Sequence, residues 1–152
     1  MTSRMATLVI GLGLGLSACA LDPSGSYVAQ IERPGDAAIL ASGIATFVAA
    51  KLPAASTTIV LDATPADQTG NGLTPALAEA LRRAGFGVAD STQAMSSTGH
   101  HLKYLVTPLD SGSLVRLVLD DRTAASRFFA RNTSGELQAG GPFTVTQADA
   151  SS

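Results

Sequence analysis

LTPALAEALRRAGFGV, from Leu73 to Val88, predicts an amphipathic helix that turns directly into a strand, and the rest of the fold is arranged around this unit. Thr74 is expected to cap the helix, and Pro75 is expected at its first position, where the missing N–H of proline costs nothing. Gly85 is the expected C′ residue, and Phe86–Ala89 is the expected strand. The apolar side of the helix consists of Leu77, Ala80, Leu81 and Ala84.

A second helix is predicted upstream, between Asp36 and Pro53. Asp36 is expected to be its N-cap, because the carboxylate can accept hydrogen bonds from the free backbone N–H groups of the first turn. Its apolar face, at helical spacing, is formed by Leu40, Ile44, Phe47, Val48 and Leu52. The β-branched run Thr57–Leu61 (TTIVL) then predicts a strand.

Downstream, the apolar pattern changes from helical to alternating, which is typical of antiparallel strands. The expected strands are His101–Leu109, Leu114–Leu119, Ser126–Asn132 and a last one at Pro142–Thr146. Two of them are joined by the hairpin turn Asp-Ser-Gly-Ser at 110–113.

The strand Ser126–Asn132 places Arg127, Phe129 and Arg131 on one side and Phe128 and Ala130 on the other. Arginine and aromatic residues are enriched at protein interfaces, so the first side is a candidate partner surface. A solvated outer face of the sheet explains the same pattern.

The order of elements predicts an α+β fold, with two helices packed on one face of a small mixed sheet that ends in an antiparallel meander. We expect four segments: a lipoprotein signal peptide at 1–18, a lipidated cysteine with a flexible tether at 19–35, a single α+β domain at 36–147, and a disordered tail at 148–152. Tyr27, Val28 and Ile31 interrupt the polar tether. They form either a short partner-binding strip or a few apolar residues of a linker.

The single cysteine, Cys19, ends the sequence Leu-Ser-Ala-Cys, which looks like a bacterial lipobox. The apolar run Met5–Leu16 before it is shorter than the roughly 20 residues that a spanning helix needs and fits a secretory signal. Cleavage is expected between Ala18 and Cys19, and lipid on Cys19 would then anchor the protein to the membrane. Asp in the next position tends to retain such lipoproteins in the inner membrane, so Ala20 favours the outer membrane.

Composition and motifs argue against most kinds of chemistry. The formal charge of −2, without a basic patch, speaks against nucleic-acid binding. Lipid on Cys19 leaves no thiol for a disulfide or a metal. His100 and His101 are adjacent, so in a strand they point to opposite faces and do not chelate one metal. Asp62 with Asp67 and Asp120 with Asp121 lie in polar turn segments, where Asp is expected for backbone reasons. We therefore predict no catalytic residue, no cofactor and no metal.

With the lipobox, TTIVL and LTPALAEALRRAGFGV in place, the chain resembles TrbH-type conjugal transfer lipoproteins. The resemblance implies a non-enzymatic structural subunit of a mating-pair-formation complex, a type IV secretion system. It implies location at the periplasmic face of the outer membrane, with other channel subunits as partners in a homo- or hetero-oligomeric ring. The order of elements is also similar to secretin-type ring-building domains. The alternative function is an auxiliary lipoprotein of an envelope lipid or ABC transport system, which an apolar cavity between helices and sheet would favour.

Overall fold

The computed structural model describes residues 26–29, 31, 33–62, 72–91 and 98–147. The described part contains two α-helices, a single 3₁₀ turn and eight strands. In chain order they are β1 Tyr27–Val28, α1 Pro34–Ala49, the 3₁₀ turn Ala54–Ser56, β2 Thr58–Leu61, α2 Leu73–Arg83, β3 Gly87–Asp90, β4 His100–Leu109, β5 Gly112–Leu119, β6 Thr123–Arg131, β7 Leu137–Ala139 and β8 Thr144–Gln147. The predicted α+β class is confirmed.

All eight strands belong to one mixed sheet. Six of them follow the order β3-β2-β4-β5-β6-β7, and β1 and β8 lie off this path. Two of the longer strands, β4 and β6, each pair with two short strands along one edge. β1 and β2 both run parallel to β4, one beside each half of it, and β7 and β8 both pair with β6. The hairpins β4–β5 and β5–β6 give the predicted antiparallel meander.

Both helices lie on the same face of the sheet, and the core is the layer between the helices and the sheet. The register pairs Tyr104 with Leu117 and Leu117 with Ala125, so these three residues point toward the helices. Leu40 and Ile44 of α1 are buried against this layer. Leu77 and Leu81, which the sequence places on the apolar side of α2, are fully buried as well.

The C-terminal end of α2 has the conformation that its sequence predicts. Gly85 has φ +92°, a left-handed conformation that glycine adopts at no steric cost. Its N–H donates to the carbonyl of Arg82, and the N–H of Phe86 donates to the carbonyl of Leu81. These two bonds form a Schellman motif, and they turn the chain directly into β3.

The predicted N-caps of both helices are wrong. α2 begins at Leu73 after Gly72, which has φ +73°, so Thr74 lies inside the first turn and its hydroxyl hydrogen-bonds to that of Tyr104. α1 begins at Pro34, because proline suits the first turn, and this places Asp36 inside the helix. Each polar side chain is therefore used in a tertiary contact instead of a cap.

The folded part of the chain begins earlier than the predicted domain boundary at residue 36. Val28 pairs with Val106 and is 2% exposed, and Ile31 packs partly buried against the same core. The interpretation of these two residues as a free partner-binding strip is wrong, because the protein's own core covers them. Tyr27, on the other side of the strand, is 56% exposed. The predicted signal peptide and tail lie outside the described residues.

Candidate functional site

The stripe formed by Arg127, Phe129 and Arg131 lies on the inner face of β6, under α1. The interpretation of this stripe as an outer sheet face is wrong. The register pairs Arg127 with Val115 and Phe129 with Ser113, which places the stripe on the same side as the core. Phe129 is accordingly 1% exposed. Sequence alternation identifies residues that share a side, and strand pairing decides which side is covered.

Arg131 is neutralised by a carboxylate of α1. Its Nη2 lies 2.7 Å from Oδ2 of Asp36, and its Nη1 lies 3.4 Å from Oδ1 of the same residue. The Nη1 group also donates to the carbonyl oxygen of Gly135 at 2.9 Å. The Asp36 side chain is only 5% exposed. This two-point ion pair fixes the start of α1 to the end of β6.

Arg127 has a different environment, although it is only four residues away. Its guanidinium lies over two aromatic rings, 5.1 Å from the centroid of Phe129 and 5.4 Å from that of Phe143. The Nε atom is buried and has no hydrogen-bond partner among the described residues. The aromatic rings stabilise the cation through their faces. They provide no acceptor for its N–H groups.

Arg127 lines a groove of about 530 Å³ that runs between α1 and the strands β6 and β7. The groove is open to solvent, and its lining is mostly small or apolar: Ala38, Ile39, Ser42, Gly43, Thr46, Phe129 and Ala139. Gly43 sits directly against the sheet. A Cβ placed there would lie 2.7 Å from the Phe129 ring and 3.8 Å from Nη1 of Arg127. The sequence patterns do not predict this groove. A signal for it is present in the small residues Ala38, Ser42, Gly43 and Thr46, which follow one side of α1.

The two adjacent histidines have separate partners, as expected for neighbours in a strand. Nδ1 of His100 lies 2.6 Å from Oδ2 of Asp120, and Nδ1 of His101 lies 3.6 Å from Oδ1 of Asp62. The described residues contain no group of three or more His, Cys, Asp or Glu side chains that could hold a metal ion. Asp67, the proposed companion of Asp62, lies outside them.

Asp120 and Asp121 form the turn between β5 and β6. Both have positive φ, 55° and 56°, a conformation that Asp tolerates better than most residues. Asp120 accepts a hydrogen bond from the backbone N–H of His101 at 2.9 Å, and Asp121 accepts one from Nζ of Lys103 at 2.7 Å. The hydrogen bond from the Lys103 ammonium, together with its charge, holds the pKa of the Asp121 carboxyl below its usual range. The pair therefore has a structural use, as the sequence predicts.

A family model described as conjugal transfer protein TrbH matches residues 21–149. The chain belongs to the TrbH family. TrbH is a structural or accessory family of conjugal transfer, which is related to type IV secretion. Neither the comparison with curated proteins nor the comparison with solved structures gives a match. The similarity to secretin-type ring-building domains therefore stays a prediction.

Ala18 and Cys19, the predicted cleavage and lipidation residues, precede the match to the TrbH model and lie outside the described residues. Neither described helix is both long enough and apolar enough to cross a membrane. Among the described residues, the groove beside α1 is the most distinctive surface, because its apolar lining contains an arginine.

Proposed function

We propose that this TrbH protein is a lipoprotein, anchored to the periplasmic face of the outer membrane through Cys19, and a structural subunit of the conjugative type IV secretion complex. The lipobox Leu-Ser-Ala-Cys carries the proposal of a lipid anchor. The match to the TrbH model carries the proposal of a place in the mating-pair-formation apparatus. Two or more acyl chains on one cysteine give stable attachment, because each buried methylene contributes about 0.8 kcal/mol.

The fold adds a limit on distance to this proposal. The described fold begins at Ser26, whose hydroxyl accepts a hydrogen bond from the backbone N–H of Tyr104. A chain from Cys19 to Ser26 can extend by about 25 Å at most. The α+β domain would therefore be held close to the membrane surface, where it contacts neighbouring subunits in place of reaching far into the periplasm.

Substitution of the anchor residue tests the proposal. We expect Cys19→Ser to accumulate as an uncleaved precursor without incorporated palmitate, and conjugation to fall at least tenfold. Ala20→Asp keeps the lipobox, so it is the matched control: it should still be lipidated but move from the outer-membrane to the inner-membrane fraction.

Co-purification of the wild-type lipoprotein with other transfer proteins tests the subunit role. Wild-type protein that carries no lipid, or that leaves every transfer protein behind, would contradict the proposal.

The alternative, an auxiliary lipoprotein of an envelope lipid or ABC transport system, makes a different prediction. It requires a cavity that encloses acyl chains. The groove beside α1 is apolar but open to solvent. Bound phospholipid that co-purifies with the protein in stoichiometric amount would favour this alternative over the structural role.

A further inference from the structure

The Arg127 guanidinium lacks the one kind of partner that an arginine in this position requires. Nε of Arg127 is shielded from solvent and has no acceptor among the described residues, and none of the groove-lining residues is acidic. A buried N–H without an acceptor costs free energy, whereas a carboxylate can accept two parallel hydrogen bonds from the guanidinium fork. The groove therefore combines an apolar lining with a guanidinium that has no carboxylate partner among the described residues.

We propose that the groove beside α1 binds a carboxylate side chain, Glu or Asp, carried by an apolar segment of a partner protein. The proposal rests on the proposed function, in which the partner is another protein of the transfer apparatus. The carboxylate would contact Arg127, and the apolar neighbours of that acidic residue would lie on Ala38 and Ile39. Charge complementarity selects the acid, and the shape of the groove selects the flanking side chains.

The small residues of α1 favour a polypeptide over a lipid as the occupant. Ala38, Ser42 and Gly43 have little or no side chain, so the backbone of a neighbouring segment can approach α1 closely. A volume of about 530 Å³ accommodates a few side chains. An open groove of this kind leaves a long acyl chain partly in water, which removes most of the gain from burying it.

The rigidity of the aromatic neighbours gives the site its orientation. The Phe129 and Phe143 rings meet edge to face, with their centroids 6.5 Å apart. The Phe143 ring also packs against Phe47, with a centroid distance of 4.7 Å. Arg127 lies over two of these packed rings, so its side chain is held in place before any partner arrives. A held guanidinium loses less conformational entropy on binding than a free surface arginine does.

Nuclear magnetic resonance of the lipidated mature protein in phosphatidylcholine nanodiscs tests the proposal. The probes are the peptides acetyl-Leu-Glu-Leu-amide and acetyl-Leu-Gln-Leu-amide, which differ in charge but hardly in shape. We expect the Glu peptide to shift the Arg127 Nε–H and Gly43 amide signals, and the Gln peptide to bind at least tenfold more weakly. Arg127→Gln should lose the difference between the peptides. Arg116→Gln, which removes an exposed arginine from the other face of the sheet, should keep it.

A second pair of variants covers the case in which Arg127→Gln fails to fold. Ser42→Leu fills the groove from the exposed side of α1 and should weaken the Glu peptide at least tenfold, whereas Ala49→Leu, on an exposed part of α1 that does not line the groove, should not. Equal binding of the two peptides to the wild-type protein, or no shift with either, would overturn the proposal. So would a shift of Arg127 Nε–H that appears with phosphatidylglycerol in the nanodisc and not with peptide. None of these results affects the lipidation and fractionation of Cys19 variants, so the two proposals fail separately.

Discussion

Arg131 and Arg127 lie four residues apart on the same side of β6, under the same helix, and they differ in whether a described residue supplies their counter-ion. Arg131 is held by the buried carboxylate of Asp36 in a two-point ion pair. Arg127 lies over Phe129 and Phe143, and its buried Nε has no acceptor among the described residues. Residues of the same type, on the same element, thus have separate uses.

The difference separates the end of the strand, where Arg131 serves the fold, from its middle, where Arg127 belongs to the groove that we propose for a partner. Removing one member of a buried ion pair leaves an uncompensated charge, which is strongly destabilising. Arg127 has no ion-pair partner among the described residues, so its removal leaves no such charge among them. A guanidinium that lies in an apolar groove without an ion pair to any described residue lowers the stability of the middle of β6, and local losses of stability of this kind are typical of binding sites.

Replacing each arginine in turn by methionine gives the largest expected contrast. Arg131→Met leaves Asp36 buried and unpaired, so we expect the free energy of unfolding to fall by about 3–5 kcal/mol. Arg127→Met keeps the apolar contacts of the arginine stem and removes the buried Nε–H that has no acceptor among the described residues, so we expect a change within about 1 kcal/mol, in either direction. Chemical denaturation of the two variants at pH 7 measures both values. Similar losses for the two variants would remove the distinction between the middle and the end of β6.

A methyl group on Gly43 tests the contact between α1 and β6, with a smaller expected effect on stability. Alanine in place of glycine inside a helix gains about 1 kcal/mol from backbone entropy. Here the added Cβ would lie 2.7 Å from the buried Phe129 ring, and overpacking typically costs about 1–3 kcal/mol. We expect Gly43→Ala to lower the free energy of unfolding by about 1–2 kcal/mol, measured by thermal and chemical denaturation.

Gly35 is the matched control for this substitution. It lies in the first turn of α1, and a Cβ built there meets nothing within 4 Å. Gly35→Ala should therefore be neutral or stabilising by up to about 1 kcal/mol. If Gly43→Ala proved as stable as Gly35→Ala, the contact between α1 and Phe129 of β6 would be looser than the structure shows.

Local sequence chemistry predicts the parts of the fold that depend on neighbours in the chain. The end of α2 is an example, because glycine at position 85 permits the left-handed conformation that ends the helix. Phe86 then enters the core. The alternation in β4 and β5 predicts their pairing in the same way. Both predictions concern residues within one or two turns of each other, where glycine and hydrophobic periodicity are informative.

Contacts between distant residues explain what the sequence could not predict. Asp36 is an acceptable N-cap by residue type, but its partner is Arg131, 95 residues away. β1 has only two residues, too few for periodicity, and its place beside β4 depends on tertiary pairing. The covered side of β6, and with it the groove at Arg127, depends on register with β5. The sequence alone therefore does not predict the candidate site, although all its residues are present in it.

The exposed pair of Lys103 and Asp121 gives the smallest expected effect on stability. It is the reference for the buried pair of Arg131 and Asp36. Lys103 lowers the pKa of Asp121 below the ordinary value of 3.8, chiefly through its hydrogen bond. A carboxyl whose pKa is lower in the folded state stabilises the fold above its unfolded pKa, and this stabilisation is lost as the pH falls through the folded pKa. We expect Lys103→Met to raise the Asp121 pKa toward 3.8, as measured by a carboxyl NMR titration, and to change stability less than Arg131→Met does at pH 7. The part of that change due to the ion pair should vanish once the pH lies below the lowered pKa. An Asp121 pKa that stays low in Lys103→Met would mean that the backbone of the turn, and not the ammonium, stabilises the carboxylate.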